Sequence, residues 1–432
     1  MLDFVKPSPR FKNGKSEVYP KFVVGPSSDL MIRGGDFYAI WDESKKLWST
    51  NERDALVLID NEVKEFIEEK QRENPDASYT QLYMWDSDSG LIDKWHKYVQ
   101  RQLRDSYSPL DENLIFANTP TQKSNYASRK LGYPLEPCPT PAYEELISTL
   151  YSPQERHKIE WVIGAIVSGD SKWIQKFLVL YGPGGTGKST IIKIIEKLFE
   201  GYCEKFDSKA LGSPNAAFAL EPFKSNPLVA IEHDGDLSRI EDNTRINSLV
   251  SHEEMTVNEK HKSLYSMRFN SFLIMGTNRP VRITDSKSGI IRRLIDASPT
   301  GITIPNRRYN DLVKKIDFEL GGIATHCLEV YKEDPHAYDG YIPIAMIGAS
   351  NDFYNFVLDS YDIFKRDDQT TLKAAYEMYK KYCDDAKVAY PYPQRVFKEE
   401  LKSYFREFTD RGPVEESGFR ARNLYTGFIA DK

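Results

Sequence analysis

The sequence contains little cysteine and no long apolar segment. Its four cysteines are each more than 50 residues from the next, which excludes a CxxC pattern and argues against a disulfide framework. The apolar stretch at 161–169 is about half of the roughly 20 residues that a membrane-spanning helix needs. The N-terminus has Asp3 and Pro7 where a signal peptide would have its apolar core. We therefore expect a cytoplasmic protein that does not interact with a membrane.

No excess of positive charge is present over the whole chain. With 58 Lys and Arg against 64 Asp and Glu, the net charge is −6, which argues against a nucleic-acid coat protein. The distribution is uneven, however, because segment 255–293 contains eight basic residues and only two acidic ones. A local cationic surface is therefore expected within an acidic protein.

Residues 1–140 are predicted to form an N-terminal α+β and helical region. Residues 1–30 are rich in Pro, Gly, Ser and Lys and are interpreted as an irregular arm. Aromatic runs at 37–48 around a polar turn predict a β-hairpin. Helical spacing of apolar residues predicts helices at 53–72 and 89–105.

The central segment, 141–340, alternates between strand-like and helix-like patterns. Short apolar runs at 176–181, 228–231 and 269–276 indicate buried strands, and helices are predicted at 152–167 and 188–200. Strands that alternate with helices predict an α/β domain with a parallel sheet.

The C-terminal segment, 350–432, has a different pattern. Helices are predicted at 353–359, 372–386 and 394–408, and a strand at 419–429. This order of elements favours a winged-helix-like domain.

A glycine-rich loop gives the strongest chemical signal in the chain. Residues 182–189 fit the pattern G-x-x-x-x-G-K-[ST], and they lie between a predicted strand and a predicted helix. Backbone N–H groups in such a loop and at the helix N-terminus bind phosphate, while Lys188 can reach the β- and γ-phosphates and Ser189 can bind Mg²⁺. The sequence therefore predicts ATP and Mg²⁺ as cofactors. The predicted ATP-binding residues are Gly182, Pro183, Gly184, Gly185, Thr186, Gly187, Lys188, Ser189 and Thr190.

Acidic residues follow the second predicted strand. Alternation along a strand would place Glu232 and Asp234 on one face and His233 on the other. Either carboxylate could bind Mg²⁺ or orient the attacking water. We rank Asp234 first, Glu232 second and Asp236 third.

Two further polar sites follow the acidic residues in the chain. Asn278, just after the third strand, is placed to hydrogen-bond the attacking water or the γ-phosphate. Arg292 and Arg293 follow a flexible turn and could stabilise charge on the transferred phosphoryl group, in the same subunit or in a neighbouring one. The residues do not indicate which of the two arginines reaches the phosphate.

Taken together, these motifs resemble the superfamily 3 helicases of the AAA+ class, and more closely the phage and poxvirus primase–helicase family. The resemblance covers about residues 31–430. It implies an AAA+ P-loop ATPase core, a sensor role for Asn278 and an arginine-finger role for Arg292 or Arg293.

The resemblance also implies that segment 255–262 is a β-hairpin lining the pore of a ring, which is hexameric in this family. Lys260, His261 and Lys262 are then the expected DNA contacts, and their cationic character suits a phosphate chain read without base contacts.

The resemblance implies an ATP-dependent, ring-forming DNA helicase in phage or other viral DNA replication. Residues 1–140 lack an evident paired-carboxylate polymerase motif, so primase activity is expected in a separate chain. The main alternative is an AAA+ ATPase that remodels or loads a replication protein without unwinding. A small-molecule kinase would not need the flanking regions, and an inactive DNA-binding scaffold would not need Lys188 and Ser189.

Overall fold

The computed structural model describes residues 2–12, 15–33, 37–86, 89–102, 109–237, 242–258, 265–281, 289–386, 388, 391–413 and 420–429. The fold is mixed α/β with a parallel sheet, as predicted. The chain forms two compact units, Met1–Glu136 with Phe199–Tyr202, and Pro137–Leu198 with Cys203–Lys432. Among the described residues, no helix has both the length and the apolar character needed to cross a bilayer.

The first unit contains two antiparallel hairpins and two longer helices. Its elements are β1 Val5–Lys12, β2 Lys15–Phe22, β3 Leu30–Arg33, β4 Phe37–Asp42, β5 Leu47–Ser49, α1 Glu52–Glu73, β6 Tyr79–Gln81 and α2 Leu91–Arg101. One sheet has the order β1-β2-β6 and the other β3-β4-β5. Phe4, Phe22 and Tyr38 surround the ring of the fully buried Trp95 and fix the core of this unit. The predicted hairpin and both predicted helices are confirmed.

The prediction of an irregular arm at 1–30 is wrong, because β1, β2 and the start of β3 lie there. Prolines argued against strands, since proline cannot donate to a β-ladder. In the structure Pro7 and Pro9 lie on β1, which is an edge strand. Pro20 lies beyond the part of β2 that pairs with β6, which ends at Val18. Each proline therefore occupies a position that needs no second partner strand.

The second unit contains a five-stranded parallel sheet with the order β13-β7-β12-β9-β8. The elements of this part are α3 Pro141–Leu150, α4 Pro153–Ser168, β7 Phe177–Tyr181, α5 Lys188–Leu198, β8 Cys203–Lys205, α6 Ser208–Leu211, β9 Val229–Glu232, α7 Thr244–Val250, β10 Glu254–Val257, β11 Tyr265–Arg268, β12 Phe272–Thr277, β13 Leu294–Ala297, α8 Asn306–Ile316 and α9 Leu320–Glu333. The three strands predicted from sequence are β7, β9 and β12, which form the middle of the sheet. Its two outer strands, β8 and β13, were not predicted.

Helix α4 shows how local sequence and distant contacts combine. Ser152 caps its N-terminus and Gly169, at φ 85°, ends it. The Glu155 carboxylate does not return to the cap backbone, as a capping box would require, and instead accepts from the Ser298 backbone N–H at 2.8 Å. Gly164 lets α4 approach α9 closely, because a Cβ there would lie 2.0 Å from the Cys327 carbonyl oxygen.

The C-terminal part of the second unit has its own apolar core, which includes Phe353, Phe356, Tyr379 and Phe397. Its elements are α10 Ile344–Ser350, α11 Asp352–Asp359, α12 Tyr361–Asp367, β14 Gln369–Thr371, α13 Leu372–Ala386, α14 Gln394–Leu401, β15 Phe405–Pro413 and β16 Arg420–Phe428. The sheet order is β14-β16-β15. The helix predicted over 394–408 ends at Leu401, because the residues from Phe405 onward pair with β16.

Candidate phosphate-binding site

The glycine-rich loop follows the carboxyl end of β7, the strand that lies between β13 and β12 in the sheet. Helix α5 begins at Lys188 of this loop. Gly185 and Gly187 have φ values of 79° and 96°, in the region that favours glycine. A Cβ on Gly187 would also lie 2.7 Å from a methyl carbon of Leu150. The loop therefore needs glycine at position 187 for its backbone and for its packing.

Lys188 is buried and is held by oxygen atoms. Its ammonium group donates to the carbonyl oxygens of Gly182 and Pro183, both at 2.7 Å, and to Asn278 Oδ1 at 2.8 Å. Burial lowers the pKa of the Lys188 ammonium, and the negative charge of Asp234 opposes that shift. The loop thus places a cation among acceptors that an anionic ligand can replace.

Asn278 and Asp234 lie close to Lys188, although both are far from it in sequence. Asn278 follows β12, the strand next to β7, and Asp234 follows β9, the next strand along. Because parallel strands end at the same edge of the sheet, both polar side chains reach the cavity beside the loop. This is the arrangement that the strand-end positions predicted.

The expected common face of Glu232 and Asp234 is not found, because β9 ends at Glu232 and strand alternation ends with it. His233 and Asp234 both line the cavity. The Glu232 carboxylate instead accepts from the Ser208 backbone N–H at 2.9 Å, and burial raises its pKa. Asp236 pairs with Arg279 at 3.1 Å. The structure therefore places Asp234, rather than Glu232, beside the loop.

The cavity at this edge has a volume of about 520 Å³, within the usual range for small-molecule sites. Its lining residues are Leu150, Gly184, Gly185, Gly187, Lys188, Ser189, Thr190, His233, Asp234, Asn278, Thr303, Ile304, Asn306 and Tyr309. The Thr190 hydroxyl donates to the Tyr309 hydroxyl at 3.2 Å. Sequence reasoning missed Leu150 and the group at 303–309, because no local pattern connects those positions to the loop. It missed His233 because strand alternation placed that side chain on the opposite face.

The loop hydroxyls differ in position. Thr186 is buried and donates to the Pro183 carbonyl oxygen at 2.8 Å, so it stabilises the loop. Ser189 lines the cavity together with Asp234. Within the described ranges, no cluster of three or more His, Cys, Asp or Glu side chains is arranged to hold a metal ion. A hydroxyl and a single carboxylate are consistent with Mg²⁺, which usually takes its remaining ligands from water and substrate phosphates.

Arg292 and Arg293 do not line this cavity but a second surface depression, together with Trp173 and Lys176. Arg293 is buried, donating to the Gly289 carbonyl oxygen at 2.8 Å and to the Ser251 hydroxyl at 2.6 and 2.9 Å. Burial lowers its pKa. Arg292 is exposed. The two neighbouring arginines therefore have different roles in the fold, and only Arg292 presents its side chain to solvent.

The three predicted DNA contacts, Lys260, His261 and Lys262, lie outside the described residues. The strands on either side of them are described: β10 and β11 are antiparallel, and Val257 pairs with Tyr265. This pairing agrees with the hairpin expected around them.

Comparisons with known proteins give a match to one family model and weak similarity to solved structures. Residues 180–293 match the model of a family of unknown function, DUF5906. Two solved structures with similarity to the chain are the apo structure of the NrS-1 C-terminal region (305–718) and the A form apo structure of the same region. The first has a TM-score of 0.45 at 13% identity and covers 92% of this chain and 96% of that chain. The second has a TM-score of 0.43 at 13% identity and covers 74% and 84%. Similarity at this level leaves the functional conclusion to rest on the residues of the chain itself.

Proposed function

We propose that this chain is an ATP-hydrolysing DNA helicase that works as a homo-hexameric ring in phage or other viral DNA replication, together with a separate primase or polymerase. The observation that carries the proposal is the convergence of Lys188, Ser189, Asp234 and Asn278 on one cavity at the carboxyl edge of a parallel sheet. These four residues lie just beyond the carboxyl ends of three adjacent strands, β7, β12 and β9, and fit the requirements of phosphoryl transfer from ATP to water.

Each residue has a role that its contacts support. Lys188 would exchange the Gly182 and Pro183 carbonyl oxygens for the β- and γ-phosphates. Ser189 and Asp234 would hold Mg²⁺, which supplies charge neutralisation at the phosphates. Asn278 already accepts from Lys188 and would orient the attacking water. Tyr309, Leu150 and Ile304 give the cavity an apolar part that suits the nucleoside.

The position of Arg292 supports a ring. It is exposed and lies on the depression beside Trp173, not on the cavity of its own loop. An arginine in that position can serve the nucleotide of a neighbouring copy, where it would stabilise charge in the transition state. Its neighbour Arg293 is bound to Ser251 and Gly289 and is proposed to hold the turn that presents Arg292.

Nucleic-acid contacts are proposed for two parts of the second unit. The segment between β10 and β11 would place Lys260, His261 and Lys262 in the pore. The C-terminal part has the order helix, strand, two helices and β-hairpin over α12, β14, α13, α14, β15 and β16, which is consistent with a winged helix.

The proposal is tested by measuring ATP hydrolysis with and without single-stranded DNA, and the unwinding of a forked duplex. Lys188→Ala is expected to abolish both activities, whereas Lys193→Ala, an exposed lysine of the same helix, should leave both unchanged. Lys260→Ala with Lys262→Ala should abolish unwinding and DNA stimulation while basal hydrolysis continues. ATP hydrolysis that does not respond to DNA would overturn the helicase proposal and favour an ATPase that remodels or loads a protein partner.

A further inference from the structure

The β1–β2 hairpin of the first unit has one apolar face and one basic face. Val5, Val18 and Pro20 are buried on the inner side. The residues of the opposite face alternate with them along both strands, and five of the eight are cationic. We call this side of the hairpin the basic face; its five cationic residues are Lys6, Arg10, Lys12, Lys15 and Lys21.

The lysines of the basic face are exposed, and within the described part of the chain none of them forms an ion pair. The acidic residue of this face, Glu17, is occupied by Arg10 at 2.9 Å. Since this pair is neutral, the remaining charge of the face comes from the four lysines. Lys94 also lies over the ring of Tyr19, at 5.9 Å from its centroid, and adds a further cation beside the middle of the face.

The four lysines oppose each other in pairs across the hairpin. Lys6 is the direct partner of Lys21, and Lys12 is the direct partner of Lys15. Like charges directly opposite each other destabilise an antiparallel ladder. Two such pairs on one face therefore work against folding, and an anionic ligand would relieve their repulsion.

The shape of the basic face fits a single polyanionic chain. The two lysine pairs are six residues apart along β1, which corresponds to about 20 Å, while neighbouring strands are only about 5 Å apart. The result is a strip about 20 Å long and one strand pair wide. A strip of this kind can follow one phosphodiester backbone, as the cationic grooves of proteins that bind single strands do.

We propose that the basic face of the first unit binds single-stranded DNA through its phosphates, without base specificity and without ATP. The residues of this site differ from those of the predicted pore hairpin, and their binding to DNA does not require the glycine-rich loop. It extends the proposed function, because a strand held there would remain bound between cycles of hydrolysis.

The test measures fluorescence anisotropy of labelled dT20 with the full chain, without nucleotide, in a Lys260→Ala, Lys262→Ala background that removes the other proposed contacts. The test variant carries Lys6→Gln, Lys12→Gln, Lys15→Gln and Lys21→Gln. The matched control removes the same charge from exposed or partly exposed positions elsewhere in the unit, with Lys45→Gln, Lys46→Gln, Lys64→Gln and Lys70→Gln.

We expect the test variant to bind at least about tenfold more weakly at low salt. The slope of log Kd against log salt should fall by about 0.7 for each phosphate that the variant no longer neutralises. The control should match the parent. The melting temperature of the test variant should equal or exceed that of the parent, because like-charge pairs are removed. Equal affinity and slope in test variant and parent would overturn the proposal.

Two further probes separate other polyanions from single-stranded DNA. A dT20·dA20 duplex that binds through the same lysines more tightly than dT20 would overturn the assignment to a single strand. Vesicles containing phosphatidylserine that bind through these lysines, when dT20 does not, would assign the face to a membrane surface and overturn it also. Because no ATP is present, loss of ATPase activity in Lys188→Ala and loss of DNA binding in the lysine variants are independent results.

Discussion

The ammonium groups of the glycine-rich loop and of the basic face lie in opposite environments. Lys188 is buried and fixed by three oxygen atoms. Lys6, Lys12, Lys15 and Lys21 are exposed and oppose each other in pairs across the hairpin. A buried cation can be aimed at one atom of a ligand, while exposed cations can follow a mobile chain of phosphates. The buried lysine therefore suits the proposed reaction of ATP, and the exposed lysines suit the proposed binding of a DNA strand.

The largest expected effect concerns the buried site. Asp234→Asn should lower ATP turnover roughly 10²-fold, because the Mg²⁺ that this carboxylate is proposed to hold would supply several kcal/mol of charge stabilisation at the phosphates. Glu232→Gln should change turnover far less, because Gln can still accept from the Ser208 N–H and does not face the cavity. A steady-state phosphate-release assay checks both.

For Asp234→Asn and Glu232→Gln, the free energy of unfolding is measured as a control for loss of folded protein. Burial raises the pKa of Glu232, so the charged form is disfavoured in the folded state. Glu232→Gln is therefore expected to be at least as stable as the parent at neutral pH. Equal loss of turnover in the two variants would contradict the assignment of separate roles.

Arg293 and Arg292 repeat the contrast between buried and exposed charge in adjacent residues. Arg293→Ala should lower the free energy of unfolding by roughly 2–3 kcal/mol, because its hydrogen bonds to Ser251 and Gly289 are removed in a buried place. Arg292→Ala should stay within about 0.5 kcal/mol of the parent. Urea unfolding measures both.

Arg292→Ala should nonetheless lose ATP turnover. If it acts on a neighbouring copy, mixing Arg292→Ala with Lys188→Ala should restore part of the activity, because some interfaces then contain both intact residues. A mixture as inactive as either variant would contradict action between subunits.

His326 is intermediate between the buried and the exposed side chains. It is about half exposed, and its Nε2 lies 3.2 Å from the carboxylate of the buried Glu160. That carboxylate raises the pKa of His326 above its ordinary value of 6.5. The stabilisation is therefore fully present below pH 6.5 and is lost as pH rises through the raised pKa. Partial exposure limits it to less than about 1 kcal/mol. Urea unfolding between pH 5.5 and 8.5 should show this decline in the parent and a flatter profile in His326→Gln; identical profiles would contradict it.

The smallest effect is expected on the basic face. Lys12→Glu replaces a like-charge pair with an opposite-charge pair across from Lys15, and should raise the free energy of unfolding by about 0.2–1 kcal/mol. Because both side chains are exposed, the gain should disappear at high salt. Lys12→Gln is the matched control, with a smaller gain. A destabilised Lys12→Glu would indicate that Lys12 has a structural role.

The three middle strands of the central sheet and the loop could be predicted because their signals are local. Strand β7 ends directly before residue 182, and α5 begins within the motif at Lys188. Asp234 and Asn278 follow their strands within one or two residues. Because neighbouring parallel strands end at the same edge of the sheet, residues that follow them lie close together, and no knowledge of distant contacts is needed to predict this.

The rest depends on contacts that no local pattern contains. Tyr309 meets Thr190 across 119 residues of chain, and Leu150 lies against Gly187. The segment after Leu401 has helix-forming residues but becomes β15 because β16 supplies a partner. In β1 and β2, the prolines argued against strands, although the pairing of this hairpin accommodates them.

The order of the parallel sheet also affects how the chain is made. Strand β7, Phe177–Tyr181, pairs with β12 and β13, which lie about 90 to 120 residues further along the chain. At a synthesis rate of roughly 5–20 residues per second, this apolar strand leaves the ribosome several seconds before either neighbour exists. During that interval the nascent protein exposes a strand that the finished fold buries, so its yield in a cell should depend on chaperones that bind the growing chain.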